Sequence, residues 1–167
     1  MSPRPILAWP DARLAQPATP VGRLDVEALV AEMFETMYAA PGIGLAAPQL
    51  GEMLRLFVMD CGWKSGEMTP LACLDPEIVW HSEETATREE GCLSIPGVSV
   101  EVTRPARIRL RWHDLAGAVQ ERAFDGLEAA CAQHEIDHLD GIVTLDRITP
   151  EARSAAEAAY AGQGAAG

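Results

Sequence analysis

Two histidines four residues apart in the segment QHEIDHLDG, residues 133–141, constrain this chain more than any other feature. On a helix, this spacing places His134 and His138 on one face, where two imidazoles can bind the same transition-metal ion. Glu135 follows the first histidine and would lie near the ion without binding it. A catalytic metal site usually has three protein ligands and one open position. The segment therefore predicts a helix that carries part of a hydrolytic metal site, and it leaves the third ligand open.

Several residues are candidates for the third ligand. Downstream of the motif there is no further histidine, and Glu151 and Glu157 lie close behind it on a tail interrupted by proline. The better candidates lie upstream: His81, His113 or a cysteine. Cys92 stands in REEGCLSIPG, where the preceding glycine and a proline four residues later favour a loop or a strand edge. Because an isolated cysteine is more often a small buried hydrophobe, the residues alone leave these alternatives open.

The composition is typical of one globular domain. The chain has 167 residues, of which 48% are apolar and 23% charged, and this argues against disorder. The net charge of −12 disfavours direct binding to nucleic acid or to an anionic membrane, because both are themselves negative. No apolar run could span a bilayer and no signal-peptide pattern is present, so we expect a cytoplasmic protein. The scattered cysteines are then expected to be free thiols or a metal ligand: Cys61, Cys73, Cys92 and Cys131.

The N-terminal part is predicted to contain one amphipathic helix. Residues 1–24 are irregular and rich in proline, and the segment LDVEALVAEMFETMYAAPG follows them. Asp25 is the expected N-cap of the helix, and Pro41–Gly42 would end it. Its apolar stripe consists of Leu29, Val30, Met33, Phe34 and Met37.

Strands fill the middle of the chain, and the helix with the histidines follows them. Strand patterns occur in LRLFVMD, PEIVWHSE, VSVEVTR and RIRLRWHD, and the last alternates arginines with apolar residues as a half-buried strand does. A hairpin turn at Ala116–Gly117 would return the chain. Asp125 and Glu128 resemble a capping box at the start of the histidine helix, and Gly141 would end that helix.

These elements predict an α+β fold with antiparallel sheets packed around the central HExxH helix, because short antiparallel strands with separated helices do not form βαβ units. We expect a single catalytic domain over residues 1–167. Its end, residues 151–167, is a short Ala/Gly-rich tail with one helical stretch and a frayed terminus.

Three segments together resemble the signature motifs of the peptide deformylases. They are GIGLAAPQ, with its informative core at residues 43–49, EGCLS at 90–94 and QHEIDH at 133–138, in that family's order and at similar separations. The resemblance covers residues 5–150. It implies an α+β fold and an enzyme that hydrolyses the formyl group from N-formylmethionyl peptides of nascent proteins.

The resemblance also implies the metal ligands and the base. Cys92, His134 and His138 would bind the ion, and a water would fill the fourth position. Glu135 would be the general base and later the general acid. A Cys/His/His set suits Fe(II), Co(II), Ni(II) or Zn(II), and the resemblance suggests Fe(II) as the physiological ion. The following carboxylates, Asp137 and Asp140, are expected to face solvent, although either could support a ligand.

Other matching residues would bind the substrate. Gln49 and the backbone N–H of Leu93 would stabilise the oxyanion, and Gly44 would contact the substrate backbone. A methionine side chain needs an apolar slot, and its candidate lining, for which ordinary core packing is an equally good explanation, is Ile43, Leu127, Ala130 and Cys131. The small side chain at 130 would widen the slot, because the family often has a branched residue there.

The chain departs from the family pattern at two positions and in its tail. Asp75 stands where an asparagine is usual, and Ser99 lies where many members carry a bulkier or basic side chain. Neither change touches the expected metal ligands or base. The tail carries only Arg153 as a positive charge, so a basic ribosome-docking helix is not expected and contact with the ribosome would be transient.

The residues are compatible with three functions. The first is an active peptide deformylase, and the second is a metallopeptidase that cleaves ordinary amide bonds. The segments EGCLS and GIGLAAPQ argue against the second, since such enzymes have no reason to carry both. The third is a deformylase-like metal-binding protein with weak or altered peptide specificity. The intact Gln49, Cys92 and Glu135 argue against it, whereas Asp75 and Ser99 leave it open.

Overall fold

The histidine helix follows a series of antiparallel strands. The computed structural model describes residues 3–166 and contains, within that range, seven strands and three α-helices. The strands are β1 (Gly44–Ala46), β2 (Leu56–Met59), β3 (Leu71–His81), β4 (Thr85–Cys92), β5 (Ile95–Pro105), β6 (Arg107–His113) and β7 (Val119–Asp125). The helices are α1 (Glu27–Ala39), α2 (Gly126–Leu139) and α3 (Pro150–Ala166). No helix in this part of the chain is long and apolar enough to cross a membrane.

The strands form two antiparallel sheets. The larger sheet has the order β1-β2-β3-β6-β7, and β4 pairs with β5 in a separate long hairpin. Strand β6 alternates as predicted, with Ile108, Leu110 and Trp112 buried and the arginines between them exposed. The chain then turns at Ala116–Gly117, where Gly117 adopts a φ of +85°. The predicted α+β class with antiparallel sheets is confirmed.

Strand β2 lies between two helices. Phe57 and Met59 pack in one cluster with α2, whereas Leu56 and Val58 pack in a second cluster with α1. Successive side chains of a strand point to opposite faces, so the larger sheet carries α2 on one face and α1 on the other. For this reason all four residues of β2 are buried, although an alternating pattern usually indicates one exposed face.

The two helices that flank the sheet begin differently from the predictions. The N-cap of α1 is Val26 rather than Asp25, whose carboxylate accepts the N–H of Glu27 at 3.1 Å. The predicted capping box of α2 is also wrong: Asp125 stands at the N-cap but its side chain makes no capping bond. Its expected partner, Glu128, is held instead by an exposed ion pair across the surface.

Glycines mark both ends of α2. Gly126 begins the helix at a φ of +52°, a left-handed conformation that favours glycine. Gly141 follows the end of the helix at a φ of +76°, as predicted for a C-terminal glycine.

The tail forms a longer helix than its composition predicts. Helix α3 continues over Pro150–Ala166, whereas the Ala/Gly-rich sequence predicts a frayed end; residue 167 lies outside the described range. Tyr160 donates a hydrogen bond to the carbonyl of Trp9 at 2.7 Å, and Gln163 donates one to the carbonyl of Gly97 at 3.0 Å. These contacts with distant parts of the chain stabilise the helix, and composition alone does not reveal them.

Candidate active site

Helix α2 is buried along most of its length, which brings the HExxH residues inside the protein. Ten of its fourteen residues are buried, so the helix has only a short exposed stripe. His134 and His138 lie one turn apart, with ring centroids 5.1 Å from each other. Both imidazoles reach the space between α2 and the β4–β5 hairpin.

Cys92 lies where this hairpin turns. The strand register shifts between Gly91 and Cys92, directly before the turn. The Cys92 Sγ is 3.3 Å from His138 Nε2. The potential ligand atoms of Cys92, His134 and His138 all lie within 4.8 Å of one another. Three residues that are distant in sequence therefore meet at one point.

The two other histidines lie elsewhere. His81 and His113 are exposed at the ends of β3 and β6. Within residues 3–166, neither belongs to a group of three potential metal ligands. Geometry therefore favours Cys92 over the alternatives that the sequence leaves open. One thiolate and two imidazoles fit a divalent transition metal better than Mg(II) or Ca(II), which prefer oxygen ligands.

Glu135 lies beside the three ligand candidates. It is buried, and its Oε2 is 4.0 Å from His134 Nε2. Among the residues that the structure describes, its Oε1 has no hydrogen-bond partner. Burial raises the pKa of Glu135 to about 7, although the charge of His134 opposes this. A carboxyl group with a pKa near neutrality and one free oxygen is suited to accept and return a proton.

The two clustered histidines have opposite electrostatic surroundings. Burial lowers the pKa of His138 well below its ordinary value, and a neutral imidazole is the form that binds metal. Burial also lowers the pKa of His134, but the charge of Glu135 and the hydrogen bonds with Cys92 and Glu90 outweigh it and raise the pKa well above its ordinary value. The negative charges of these groups favour a metal cation at this ring.

A buried charge network, which the sequence analysis missed, orients His134. Its Nδ1 lies 2.9 Å from Glu90 Oε1. Arg104 donates to both oxygens of Glu90, at 2.7 and 3.0 Å, and to Asp137 at 2.8 Å. Arg147 completes the network with two hydrogen bonds to Asp137. Because Glu90 engages Nδ1, Nε2 is the nitrogen left for a metal ion.

The sequence predicts some members of this network and not others. Asp137 was expected to face solvent, and this prediction is wrong, since it is only 5% exposed. Asp140 is exposed as predicted and pairs with Arg55 at 3.0 Å. Glu90 stands two residues before Cys92, and the period of two along a strand places both side chains on the same face of β4. The same periodicity along β5 places Arg104 on the buried face with Val102, but it does not indicate which carboxylates Arg104 contacts.

Gln49 and Leu93 both lie next to Cys92. The Gln49 side chain is fixed at both ends: Oε1 accepts the Ala46 N–H at 2.9 Å, and Nε2 donates to Ser94 Oγ at 3.0 Å. The same Nε2 is 3.8 Å from Cys92 Sγ, so its second N–H is directed toward the cluster. Leu93 lies in the two-residue turn between β4 and β5.

The backbone of β1 lies directly against Glu135. A Cβ atom on Gly44 would be 2.5 Å from Glu135 Oε2 and 2.9 Å from Cys131 Sγ, so only glycine fits. The N–H of Asp60 donates to the carbonyl of Ile43 at 2.8 Å. In an antiparallel ladder the next residue points the other way, so the N–H and C=O of Gly44 face the open edge of the sheet.

A cavity of about 600 Å³ opens over these groups. Ten of the eleven site residues predicted from sequence line it, namely Ile43, Gly44, Gln49, Cys92, Leu93, Leu127, Ala130, Cys131, His134 and Glu135. The eleventh, His138, lies behind the cavity wall and is 1% exposed. Leu127 is 46% exposed, which is incompatible with ordinary core packing. Cys131 lines the cavity and also packs in the core cluster between α2 and the sheet.

The two departures from the family pattern occupy different places. Asp75 adopts a φ of +48°, and its carboxylate accepts the N–H groups of Val21 and Gly22 at 2.7 and 3.0 Å. It therefore ties the N-terminal segment to β3 and does not line the cavity. Ser99 does line the cavity, opposite Gly91 on the neighbouring strand. Only the second departure can act on a bound peptide.

This chain is similar to known deformylases along most of its sequence. A family model described as polypeptide deformylase matches residues 3–154. A peptide deformylase of Afipia carboxidovorans is 50% identical over 151 residues, which cover 89% of this chain and 88% of that protein. A peptide deformylase of Novosphingobium aromaticivorans is 44% identical over 170 residues, with 89% of this chain and 90% of that protein covered.

Solved structures are similar over nearly the whole fold. The crystal structure of a peptide deformylase from Synechococcus elongatus in complex with actinonin matches with a TM-score of 0.90 at 37% identity, covering 95% of this chain and 88% of that one. A peptide deformylase from Legionella pneumophila matches with a TM-score of 0.89 at 39% identity, covering 96% of this chain and 95% of that one.

Proposed function

The chain belongs to the polypeptide deformylase family, and from this we propose that it hydrolyses the formyl group from N-formylmethionyl peptides of nascent proteins. The observation that carries the proposal is the convergence of Cys92, His134 and His138 beside the buried carboxylate of Glu135.

We propose that these three ligands hold Fe(II), with Zn(II), Ni(II) or Co(II) as substitutes. The thiolate is a soft and electron-rich donor, which suits these ions. When bound, such an ion acts as a Lewis acid and lowers the pKa of water toward about 7. The thiolate and a ferrous ion are both oxidisable, so the loaded enzyme should be sensitive to oxygen.

Glu135 is proposed to move the proton in this reaction. Its free Oε1 accepts a proton as water attacks the formyl carbon, and the same carboxyl group then gives it to the departing amine nitrogen. Burial raises the pKa of Glu135 to about 7. A group with a pKa near the working pH can both accept and donate a proton, so one residue can serve both steps.

Two N–H groups are proposed to stabilise the negative charge on the former formyl oxygen. They are the second N–H of Gln49 Nε2 and the backbone N–H of Leu93. The first is held in place by Ser94, so it need not reorganise during the reaction. Loss of one such pre-oriented donor typically raises the barrier by about 3 kcal/mol.

The peptide is proposed to bind as an extended strand along the open edge of β1. The N–H and C=O of Gly44 face that edge and can pair with the peptide backbone. The first side chain then enters the slot lined by Leu127, Ala130 and Cys131. Direct binding of nucleic acid or membrane is not proposed, and a transient contact with the ribosome stays a prediction.

One assay separates an active deformylase from a metallopeptidase and from a metal-binding protein without turnover. Protein loaded with iron or nickel without oxygen is incubated with formyl-Met-Ala-Ser, and formate, free amine and peptide fragments are measured. Formate release with an intact Met-Ala bond is the expected result. Cleavage of an internal bond would instead indicate a metallopeptidase. The absence of any product would indicate a metal-binding protein without turnover.

A further inference from the structure

Two cavities adjoin at the slot for the first side chain of the substrate. The cavity over the ligand cluster and a second cavity of about 400 Å³ share three lining residues: Arg88, Glu90 and Ala130. Glu90 is fixed by Arg104 and His134. The remainder of the shared wall is therefore formed by Arg88 and Ala130.

Ala130 leaves this wall thin. It lies on the second turn of α2, and its side chain extends no further than the Cβ atom. A branched side chain at this point would fill the space between the two cavities. With alanine, the side chain that lines both cavities at this point is a single carbon atom.

Arg88 brings a cation to this wall. Ala86, Arg88 and Glu90 alternate along β4 and line the second cavity together. The Nη2 atom of Arg88 lies 3.7 Å from the position that a Cβ on Gly126 would take, so the guanidinium reaches the start of α2. Among residues 3–166, no carboxylate forms an ion pair with it. Its donors are therefore available to a ligand in the slot.

We propose that Arg88 is a specificity-determining residue for formyl peptides whose first side chain carries a neutral hydrogen-bond acceptor. This inference rests on the function proposed above. Methionine sulfoxide is the nearest such side chain, since its oxygen branches from the sulfur atom of methionine. A guanidinium donates a charge-assisted hydrogen bond to such an oxygen. A carboxylate is disfavoured because Glu84, Glu90 and Asp125 line the same second cavity.

The test compares formyl-Met(O)-Ala-Ser with formyl-norleucyl-Ala-Ser, which has a similar length and no acceptor. The measured quantity is the ratio of the two kcat/KM values, so each protein is its own reference. Arg88→Met should lower the ratio roughly ten- to a hundredfold, as expected for the loss of a hydrogen bond to a charged group. Arg109→Met is the matched control: Arg109 lies outside both cavities, and the ratio should not change.

A second substitution tests the geometry. Ala130→Ile should fill the shared wall and lower the same ratio. Both substitutions remove the same contact between Arg88 and the substrate side chain. The ratio of the double variant should therefore be no lower than that of the single variant with the lower ratio. An unchanged ratio in Arg88→Met, or effects of the two substitutions that add fully, would overturn the inference.

Binding separates this inference from the proposed function. If no formyl peptide is hydrolysed, formyl-Met-Ala-Ser included, the proposed function fails. Calorimetry on metal-loaded Glu135→Gln protein then decides the role of Arg88. The inference requires tighter binding of the sulfoxide peptide than of the norleucyl peptide, and loss of that preference when Arg88→Met is added. Equal affinities for the two peptides would reject it.

Discussion

Glu90 accepts a hydrogen bond from Nδ1 of His134 at 2.9 Å, and this contact leaves Nε2 as the nitrogen that can bind metal. The two residues come from different layers, Glu90 from the β4–β5 hairpin and His134 from α2. Arg104 holds the carboxylate from its other side with two hydrogen bonds. The orientation of one metal-ligand candidate therefore depends on how the hairpin packs against the helix.

We expect Glu90→Gln to weaken metal binding. Glutamine keeps the size of the side chain but removes the charge that favours a cation at His134. Changes of this kind typically cost ten- to a hundredfold in metal affinity, about 1.4–2.8 kcal/mol. The affinity can be measured by competition with a chelator. The control is Glu101→Gln on the exposed face of β5, which should bind as the unchanged protein does; equal affinities of the two variants would contradict the role given to Glu90.

Glu135→Gln should bind metal and lose turnover. The amide keeps the shape of the carboxyl group but cannot accept the proton of water. General-base catalysis typically contributes about 10²- to 10⁴-fold, so kcat should fall by that factor. Metal content by atomic absorption and kcat on formyl-Met-Ala-Ser are measured on the same sample. A variant that keeps both its metal and its full activity would assign the base to another residue.

Gly44→Ala should impair catalysis without a general loss of structure. The new Cβ would lie 2.5 Å from Glu135 Oε2, so either β1 or the carboxylate must move. A displacement of about 1 Å at a catalytic group can cost about a hundredfold in rate. The matched control is Gly162→Ala, in α3, where the added atom meets nothing within 4 Å. Equal kcat/KM values for both glycine variants would show that the close approach is unimportant.

The candidate metal ligands were easier to predict from sequence than the groups that support them. The i,i+4 histidines lie within one helix, so local spacing fixes their geometry. The roles of Cys92 and Gln49 came from the resemblance of whole motifs, because spacing along the chain cannot place residues from different layers together. Alternation along β5 places Arg104 on the same face as Val100 and Val102. Nothing local predicts the two carboxylates from other elements that pair with it there.

Asp137→Asn should destabilise the protein far more than Asp140→Asn, three residues away. The side chain of Asp137 is 8% exposed and accepts from two arginines, whereas that of Asp140 is 47% exposed and pairs with one. Breaking a buried charge pair typically costs about 3–5 kcal/mol. An exposed pair contributes about 0–1 kcal/mol. Urea unfolding of both variants gives the two values, and similar losses would show that the network is not a stability element.

The loop after β2 contains another buried carboxylate, Asp60, with a different role. The Tyr38 hydroxyl donates to Asp60 at 2.6 Å, and the N–H groups of Gly62 and Thr69 donate to the other carboxylate oxygen. Burial raises the pKa of Asp60, but these hydrogen bonds outweigh burial and hold the pKa below its ordinary value. Burial and the bond to Asp60 raise the pKa of Tyr38 to about 12.

This pair predicts how stability changes at alkaline pH. A tyrosine whose pKa is raised by folding contributes stability that is fully present below its unfolded pKa of about 10. That contribution is lost as the pH rises through about 12. Asp60 acts at the other end: its lowered pKa contributes stability above about pH 3.9, which is lost as the pH falls through its folded value.

Tyr38→Phe should therefore lower the free energy of unfolding at neutral pH. This difference from the unchanged protein should disappear in alkali. At pH 7 we expect a loss of about 1.5–3 kcal/mol, because a hydrogen bond to a charged group is removed. Tyr160→Phe, which removes a bond to a neutral carbonyl, should cost only about 0.5–1.5 kcal/mol at the same pH. Urea unfolding from neutral pH to about pH 12 should show the difference between Tyr38→Phe and the unchanged protein shrinking above about pH 10. A difference that stays constant over this range would mean that the hydroxyl does not titrate as part of the Tyr38–Asp60 pair.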